Sequence, residues 1–179
     1  KKGVVRGGGR CGNGFPALGS AKAVEKEGAG VWWLGCRCRM KEILVPTYGC
    51  SFSYRYVRCV RRNGLKTLLK APFMVARAIV QARAVIKDFK PDVVLGMGGY
   101  ASGPGGAAAF LSGIPVVLHE QNAAAGMTNK LLFKIASKVM LGFPGAFTGE
   151  KVSVVGNPVR DSIIALQGKA RDFTHTPVR

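Results

Sequence analysis

A short apolar run, a glycine-rich stretch and a helical stretch follow one another at the start of this chain, and the same order returns near residue 93. The first unit passes from Gly3–Arg6 through Gly7–Gly14 into Phe15–Glu27, with Gly28 and Gly30 closing the helix. The second passes from Val93–Leu95, announced by Pro91 and Asp92, through Gly96–Gly106 into a helix of small residues ending at Ser112. Strands of buried type alternating with helices are the pattern of a parallel α/β sheet. Both glycine stretches are then expected at the carboxyl edge of that sheet, where such proteins bind ligands.

The rest of the chain fits the same plan. Val31–Leu34, Val116–Leu118 and Val152–Val155 read as strands, and Ile43–Val45 and Phe52–Val57 as short strand candidates. Leu65–Ile86 has helical apolar spacing through Leu65, Leu68, Leu69, Phe73, Ala76, Ile79, Val80 and Ile86, with Pro72 expected to kink or restart it. Thr128 is expected to cap a helix running to about Lys138. The pattern fades after Gly156-Asn157-Pro158. One domain over 1–165 is expected, followed by a linker or tail over 166–179. The chain opens without methionine, directly at a strand, so the true start is expected to be missing.

Charge narrows the partner. The net charge is +18, which calls for an anion: nucleic acid, a membrane surface or a phosphorylated substrate. Residues 1–90 hold 19 of the 27 Lys and Arg, and Ile43–Lys87 holds nine basic residues and no acid. Lys66, Lys70, Arg77 and Arg83 lie among the apolar positions of Leu65–Ile86. Such a helix can lie in an anionic interface, or pack on a core with a solvated basic face. No RNA-binding aromatic motif or helix-turn-helix pattern is evident, so no specific nucleic acid is expected.

Cys11, Cys36, Cys38, Cys50 and Cys59 are odd in number and unaccompanied by a secretion signal, so reduced thiols are expected. Cys36 and Cys38 lack a second pair at zinc spacing, and no metal is expected. No apolar run is long enough to span a bilayer.

Three segments carry chemistry. The first loop contains G-x-G-x-x-G at Gly7, Gly9 and Gly12, a pattern that brings backbone N–H groups to a phosphate. A dinucleotide site also needs an acid about 20 residues on. Gly35-Cys36-Arg37-Cys38-Arg39 offers none, so NAD is disfavoured, NADP has only Arg37, and no cofactor is expected. The second loop has six glycines between Gly96 and Gly106, whose successive N–H groups can form a diphosphate nest, with Ser102 as a hydroxyl donor. The third segment, His119-Glu120-Gln121-Asn122, sets four polar residues at a strand exit. His119 is a candidate base, though a lone histidine is more often structural; Glu120 and Asn122 suit hydroxyl binding or loop orientation. No Ser–His–Asp set or carboxylate pair is evident.

The segments Asp92–Gly106, Ile114–Asn122, Gly126–Lys130, Phe143–Phe147 and Val155–Arg160, in that order, closely resemble the MurG family of UDP-N-acetylglucosamine–muramoylpentapeptide-pyrophosphoryl-undecaprenol N-acetylglucosaminyltransferases. The resemblance runs from about residue 3 to residue 165 and is densest from Lys90 to Arg160. It implies a Rossmann-like parallel sheet with flanking helices, the amino-terminal half of a GT-B glycosyltransferase. That half binds the lipid-linked acceptor. Gly98, Gly99, Tyr100, Ser102 and Gly103 would hold its diphosphate. Leu65, Lys66, Leu68, Leu69, Phe73 and Ile79 fall in the helix that docks on the anionic cytoplasmic face of the membrane. Arg10, Cys11, Gly12, Asn122 and Arg160 would supply donor contacts, most of the UDP-N-acetylglucosamine being held by a carboxy-terminal domain absent here. The implied reaction is metal-independent attack of the muramoyl 4-hydroxyl on the anomeric carbon, with inversion, and a base must take the hydroxyl proton.

The first loop departs from the family pattern Gly-Gly-Thr-Gly-Gly-His. Aligned on Phe15-Pro16, Arg10 replaces the threonine, Cys11 a glycine and Asn13 the histidine that is a candidate base. Asparagine cannot carry a proton at neutral pH, which makes Asn13 a poor catalytic residue. The expectation is an acceptor-binding, membrane-docking half that is inactive alone. The alternative is a non-catalytic basic module for anionic membrane or nucleic acid.

Overall fold

The computed structural model describes residues 2–6, 11–35, 53–56, 65–99 and 102–158. Seven strands form one sheet in the order β3-β2-β1-β4-β5-β6-β7. They are β1 (Lys2–Arg6), β2 (Gly30–Gly35), β3 (Ser53–Tyr56), β4 (Val93–Gly96), β5 (Val116–Glu120), β6 (Lys138–Leu141) and β7 (Val152–Val154). Every pairing is parallel. Among the described residues four helices lie between them: α1 (Cys11–Lys26), α2 (Leu65–Phe89), α3 (Ser102–Leu111) and α4 (Met127–Leu132).

Side chains alternate across a strand, so each strand feeds two layers. In β2, Val31 and Trp33 pack with Ala17, Leu18 and Ala21 of α1 and with Met97. Leu34 of the same strand faces the other layer, with Ala78, Ala82, Ile86 and Phe89 of α2, Ala108 and Ala109 of α3, and Val94, Val116, Leu118, Val139 and Leu141 of the sheet. The α2 residues recur every three or four positions and make one buried stripe. Small residues there and in α3 let the two helices pack closely. The Trp32 and Phe89 rings stack at 4.3 Å and anchor the end of α2 on the sheet. Lys90 then takes a left-handed φ of 50° and Pro91 ends the helix.

The α/β class and the parallel sheet agree with the sequence expectation, and four boundaries change. Helix α1 starts at Cys11 rather than Phe15, because the first helical N–H groups need no intrahelical partner and glycines there cost little. Helix α2 continues through Pro72 without a restart, since its buried stripe lies after the proline and holds the helix to the sheet. Helix α3 begins at Ser102, so Gly103, Gly105 and Gly106 are helical rather than loop. Its Pro104 sits in the first turn, where the missing N–H has no partner to lose.

The fourth change is the largest. Thr128 caps nothing; Gly126 is the N-cap, without a side-chain bond, and α4 stops at Leu132. The chain then turns, the Ser137 N–H donates to Val116 O at 2.8 Å, and β6 follows, a strand the sequence reading had placed at the end of a helix. Val139 and Leu141 are buried between exposed Lys138 and half-buried Met140. Four residues are too few for periodicity to announce. Ile43–Val45 and residues 166–179 lie outside the described residues.

Candidate functional site

Strand order reverses between β1 and β4: the chain builds outward from β1 to β3 on one side and from β4 to β7 on the other. Such a switch point leaves a crevice at the carboxyl ends of the strands. Arg6 and Gly96, the last residues of β1 and β4, are in register there. Strands β1 and β4 therefore end side by side. Cys11, Gly12 and Asn13 form the first turn of α1 on one bank. Arg10, Tyr100 and Arg160 lie outside the described residues.

On the other bank, Gly98 and Gly99 both have φ of +82°, a conformation that favours glycine. The Ser102 hydroxyl donates to Gly98 O at 2.7 Å, and the Ser102 N–H to Gly99 O at 3.1 Å. Among the described residues the N–H groups of Gly98 and Gly99 find no acceptor. Ser102 was expected as a donor to the anion. Instead it is fully buried, with its proton given to the loop. Gly106 has a packing reason of its own. A Cβ on it would stand only 2.7 Å from Leu132 Cδ2, whereas one on Gly103 would make ordinary contact, 3.4 Å from Thr128 Cγ2. Gly106 lets α4 approach α3, which explains part of what looked like a ligand loop.

The polar run at the end of β5 forms one network. Glu120 is buried, and its carboxylate accepts four bonds: the Asn122 N–H at 3.1 Å, Asn122 Nδ2 at 3.1 Å, the Gly126 N–H at 3.2 Å and Asn129 Nδ2 at 2.9 Å. A buried carboxylate needs such donors. They fold residues 121–126 back onto the strand end and set the start of α4. Asn122 is exposed at this rim, with its backbone N–H and one side-chain N–H already given to Glu120.

His119 is buried to 1% exposure. Its Nε2 lies 3.0 Å from Gly156 O, which can only accept, so Nε2 carries the proton. Its Nδ1 faces Gln121 Nε2 at 3.3 Å. Both ring nitrogens are engaged away from solvent, so His119 is a structural histidine and not a base. Gln121 Nε2 also donates to Met97 O at 3.1 Å, and Asn157 Nδ2 donates to Gln121 O at 3.2 Å. Asn157 occupies the space a side chain at Gly142 would need, 2.1 Å from its Cβ position. The sequence reading assigned no role to Gln121, Asn129 or Asn157. The run of hydrogen-bonding side chains at a strand exit was the available signal.

The helix read as membrane-facing is exposed in part. Phe73 is 82% and Val80 67% exposed, beside exposed Arg77 and Arg83. Ile79 is half-buried and packs against the core, so it leaves the membrane-facing set. Phe110 and Leu111 of α3, which packs on α2, and Met127 and Leu131 of α4 are further exposed apolar residues that the sequence reading missed. The side chains of Leu65, Lys66, Leu68 and Leu69 lie outside what is described, though all four belong to α2.

The profile of the glycosyltransferase family 28 N-terminal domain matches residues 4–141. The chain belongs to this family. Within family 28 its relatives are consistent in kind. It is 55% identical over 171 residues to the UDP-N-acetylglucosamine–N-acetylmuramyl-(pentapeptide) pyrophosphoryl-undecaprenol N-acetylglucosamine transferase of Shewanella oneidensis, covering 96% of this chain and 47% of that protein. The Shewanella piezotolerans transferase of the same name is 54% identical over 94% of this chain and 46% of its own length. The chain thus spans just under half of the curated relatives it matches. The crystal structure of MurG from Acinetobacter baumannii superposes with a TM-score of 0.77 at 36% identity, over 90% of this chain and 46% of that one. A UDP-N-acetylglucosamine 2-epimerase of Neisseria meningitidis, at 17% identity over 88% of this chain and 46% of its own, shares the fold with a TM-score of 0.65. The family 28 fold is therefore the amino-terminal, Rossmann-like half of a GT-B glycosyltransferase.

Proposed function

We propose that this chain is the acceptor-binding half of the transferase that moves N-acetylglucosamine from UDP-N-acetylglucosamine to an undecaprenyl-diphosphate-linked muramoyl pentapeptide in peptidoglycan synthesis. The observation that carries this reading is the pair of N–H groups at Gly98 and Gly99 that find no acceptor among the described residues, beside the switch-point crevice. Backbone amides with no internal acceptor are preformed donors for a diphosphate. Gly103 adds an N–H at the start of α3, where the helix dipole favours an anion. Tyr100 belongs to the same proposed loop. Asn122 and Arg160, with Arg10, Cys11 and Gly12, are the proposed contacts to a donor held mainly by a carboxy-terminal domain. Residues 166–179 are read as the link toward it.

Transfer itself requires a base for the acceptor hydroxyl. His119 is locked between Gly156 and Gln121, and Asn13 cannot carry the proton. The chain is therefore read as binding acceptor without turning it over unaided. Exposed Phe73, Val80, Phe110 and Leu111, with Arg77 and Arg83 beside them, suit a peripheral seat on the anionic cytoplasmic face of the inner membrane. Among the described residues no helix is long and apolar enough to cross a membrane.

Separate calorimetric titrations test the reading. A soluble diphosphate-linked muramoyl acceptor analogue is expected to bind, and UDP-N-acetylglucosamine to bind weakly or not at all. Binding of the nucleotide sugar alone would contradict it.

A further inference from the structure

We propose that Gln121 is a positioning residue for the diphosphate site: its side-chain amide, together with the Ser102 hydroxyl, turns the N–H groups of Gly98 and Gly99 toward the anion. The inference rests on the acceptor reading above and adds the groups that orient its donors.

In a trans peptide the carbonyl of one residue and the N–H of the next point in opposite directions. Among the described residues there is no cis peptide bond. Gln121 Nε2 draws the Met97 carbonyl toward itself at 3.1 Å. The Gly98 N–H, in the same peptide plane, therefore points away from Gln121. Ser102 Oγ draws the Gly98 carbonyl at 2.7 Å, so the Gly99 N–H points away from Ser102. The Ser102 N–H takes the Gly99 carbonyl at 3.1 Å and completes the set. The Met97 and Gly98 carbonyls are bonded inward, which leaves the two successive amides of Gly98 and Gly99 turned the other way. The positive φ of both glycines permits this arrangement.

Gln121 and Ser102 are 7% and 0% exposed, so each acts through the loop and not by touching the ligand. Gln121 is itself held from two sides. Its amide nitrogen meets His119 Nδ1 at 3.3 Å, and its backbone carbonyl accepts Asn157 Nδ2 at 3.2 Å. His119 is pinned in turn by Gly156 O at 3.0 Å. The orientation of the glycine loop is thus set from the ends of β5 and β7, outside the loop.

Gln121→Glu tests this with almost no change of shape. The carboxylate cannot donate to the Met97 carbonyl and repels it. Inorganic pyrophosphate is titrated into the isotope-labelled full chain and followed by amide NMR. In the unaltered chain the Gly98 and Gly99 amides are expected to shift on titration. In Gln121→Glu the affinity is expected to fall about tenfold, the size of one lost charge-assisted hydrogen bond, while amides away from the loop keep their native shifts. Ser102→Ala, which frees the Gly98 carbonyl, is expected to weaken pyrophosphate in the same way and decides the matter if Gln121→Glu does not fold. Unaltered pyrophosphate affinity in the folded variant overturns the role of Gln121 and leaves the acceptor reading standing. Absence of any shift at Gly98 and Gly99 in the unaltered chain overturns the diphosphate site and this proposal together.

Discussion

Asn129 Nδ2 reaches back from the first turn of α4 to donate to Glu120 Oε2 at 2.9 Å, closing the loop after β5 against the sheet. Both residues are buried, and among the described residues the carboxylate's charge is met by N–H donors. Glu120→Gln keeps the size but replaces one acceptor oxygen with a donor. Two of the four N–H groups then lose their acceptor, at about 1–3 kcal/mol each when buried. Urea denaturation is expected to show a loss of roughly 2–4 kcal/mol at unchanged m-value. A loss below about 0.5 kcal/mol would mean the network does not hold the loop.

Gly106 and Leu132 set how closely α3 and α4 approach. Alanine at 106 would gain about 1 kcal/mol of helix propensity. Its Cβ would also lie 2.7 Å and 2.9 Å from the two Leu132 methyl carbons, and overpacking of that kind costs about 1–3 kcal/mol. Gly106→Ala is expected to destabilise the chain by roughly 1 kcal/mol, and to become neutral or stabilising in a Leu132→Ala background. A double-mutant cycle of denaturation free energies reads the difference; additivity would show that the glycine is not there for Leu132.

Lys151 closes the other end of the same helix region. Its ammonium donates to Phe133 O and to Ala136 O, and sits 4.3 Å from the centre of the Phe133 ring, which stacks on Phe147. Lys151→Met removes the donors and keeps the aliphatic stem. A fall in melting temperature of about 2–6 °C is expected, from roughly 1–2 kcal/mol of lost hydrogen bonding and cation–π contact. An unchanged melting temperature would show the clamp to be idle.

Much of this site was legible in the residues, and the illegible part has a common cause. Alternation of strands and glycine stretches was enough to place both loops at one sheet edge, because parallel topology forces every strand to end there. What spacing could not show is where each hydrogen bond goes. Ser102 reads as a donor in sequence and is a staple in space. Gly103 and Gly106 read as loop and are helical, and Gly106 serves helix packing. His119 reads as a possible base and is shut between Gly156 and Gln121. Strand β6 hid because Lys138–Leu141 is too short for a period, and its pairing partners lie in other strands, β5 and β7, away from it along the chain.

Phe73 is 82% exposed, so replacing it with serine is expected to change folding stability by less than about 0.5 kcal/mol. If α2 lies in a membrane interface, the same change removes a side chain worth roughly 1.5–3 kcal/mol on burial. Sedimentation with vesicles containing anionic lipid is expected to show weaker binding by about tenfold or more, with added salt weakening both forms. Equal partitioning of the two forms would count against this face.

The central claim is that the Gly98 and Gly99 amides hold the acceptor diphosphate. The most direct measurement is calorimetric titration of a diphosphate-linked muramoyl analogue into the unaltered chain and into Gly99→Ala. A side chain at φ +82° strains the loop by about 1–2 kcal/mol and displaces the N–H. Binding by the unaltered chain that drops at least about tenfold in a folded Gly99→Ala is the predicted result. Equal affinity in the two would contradict it.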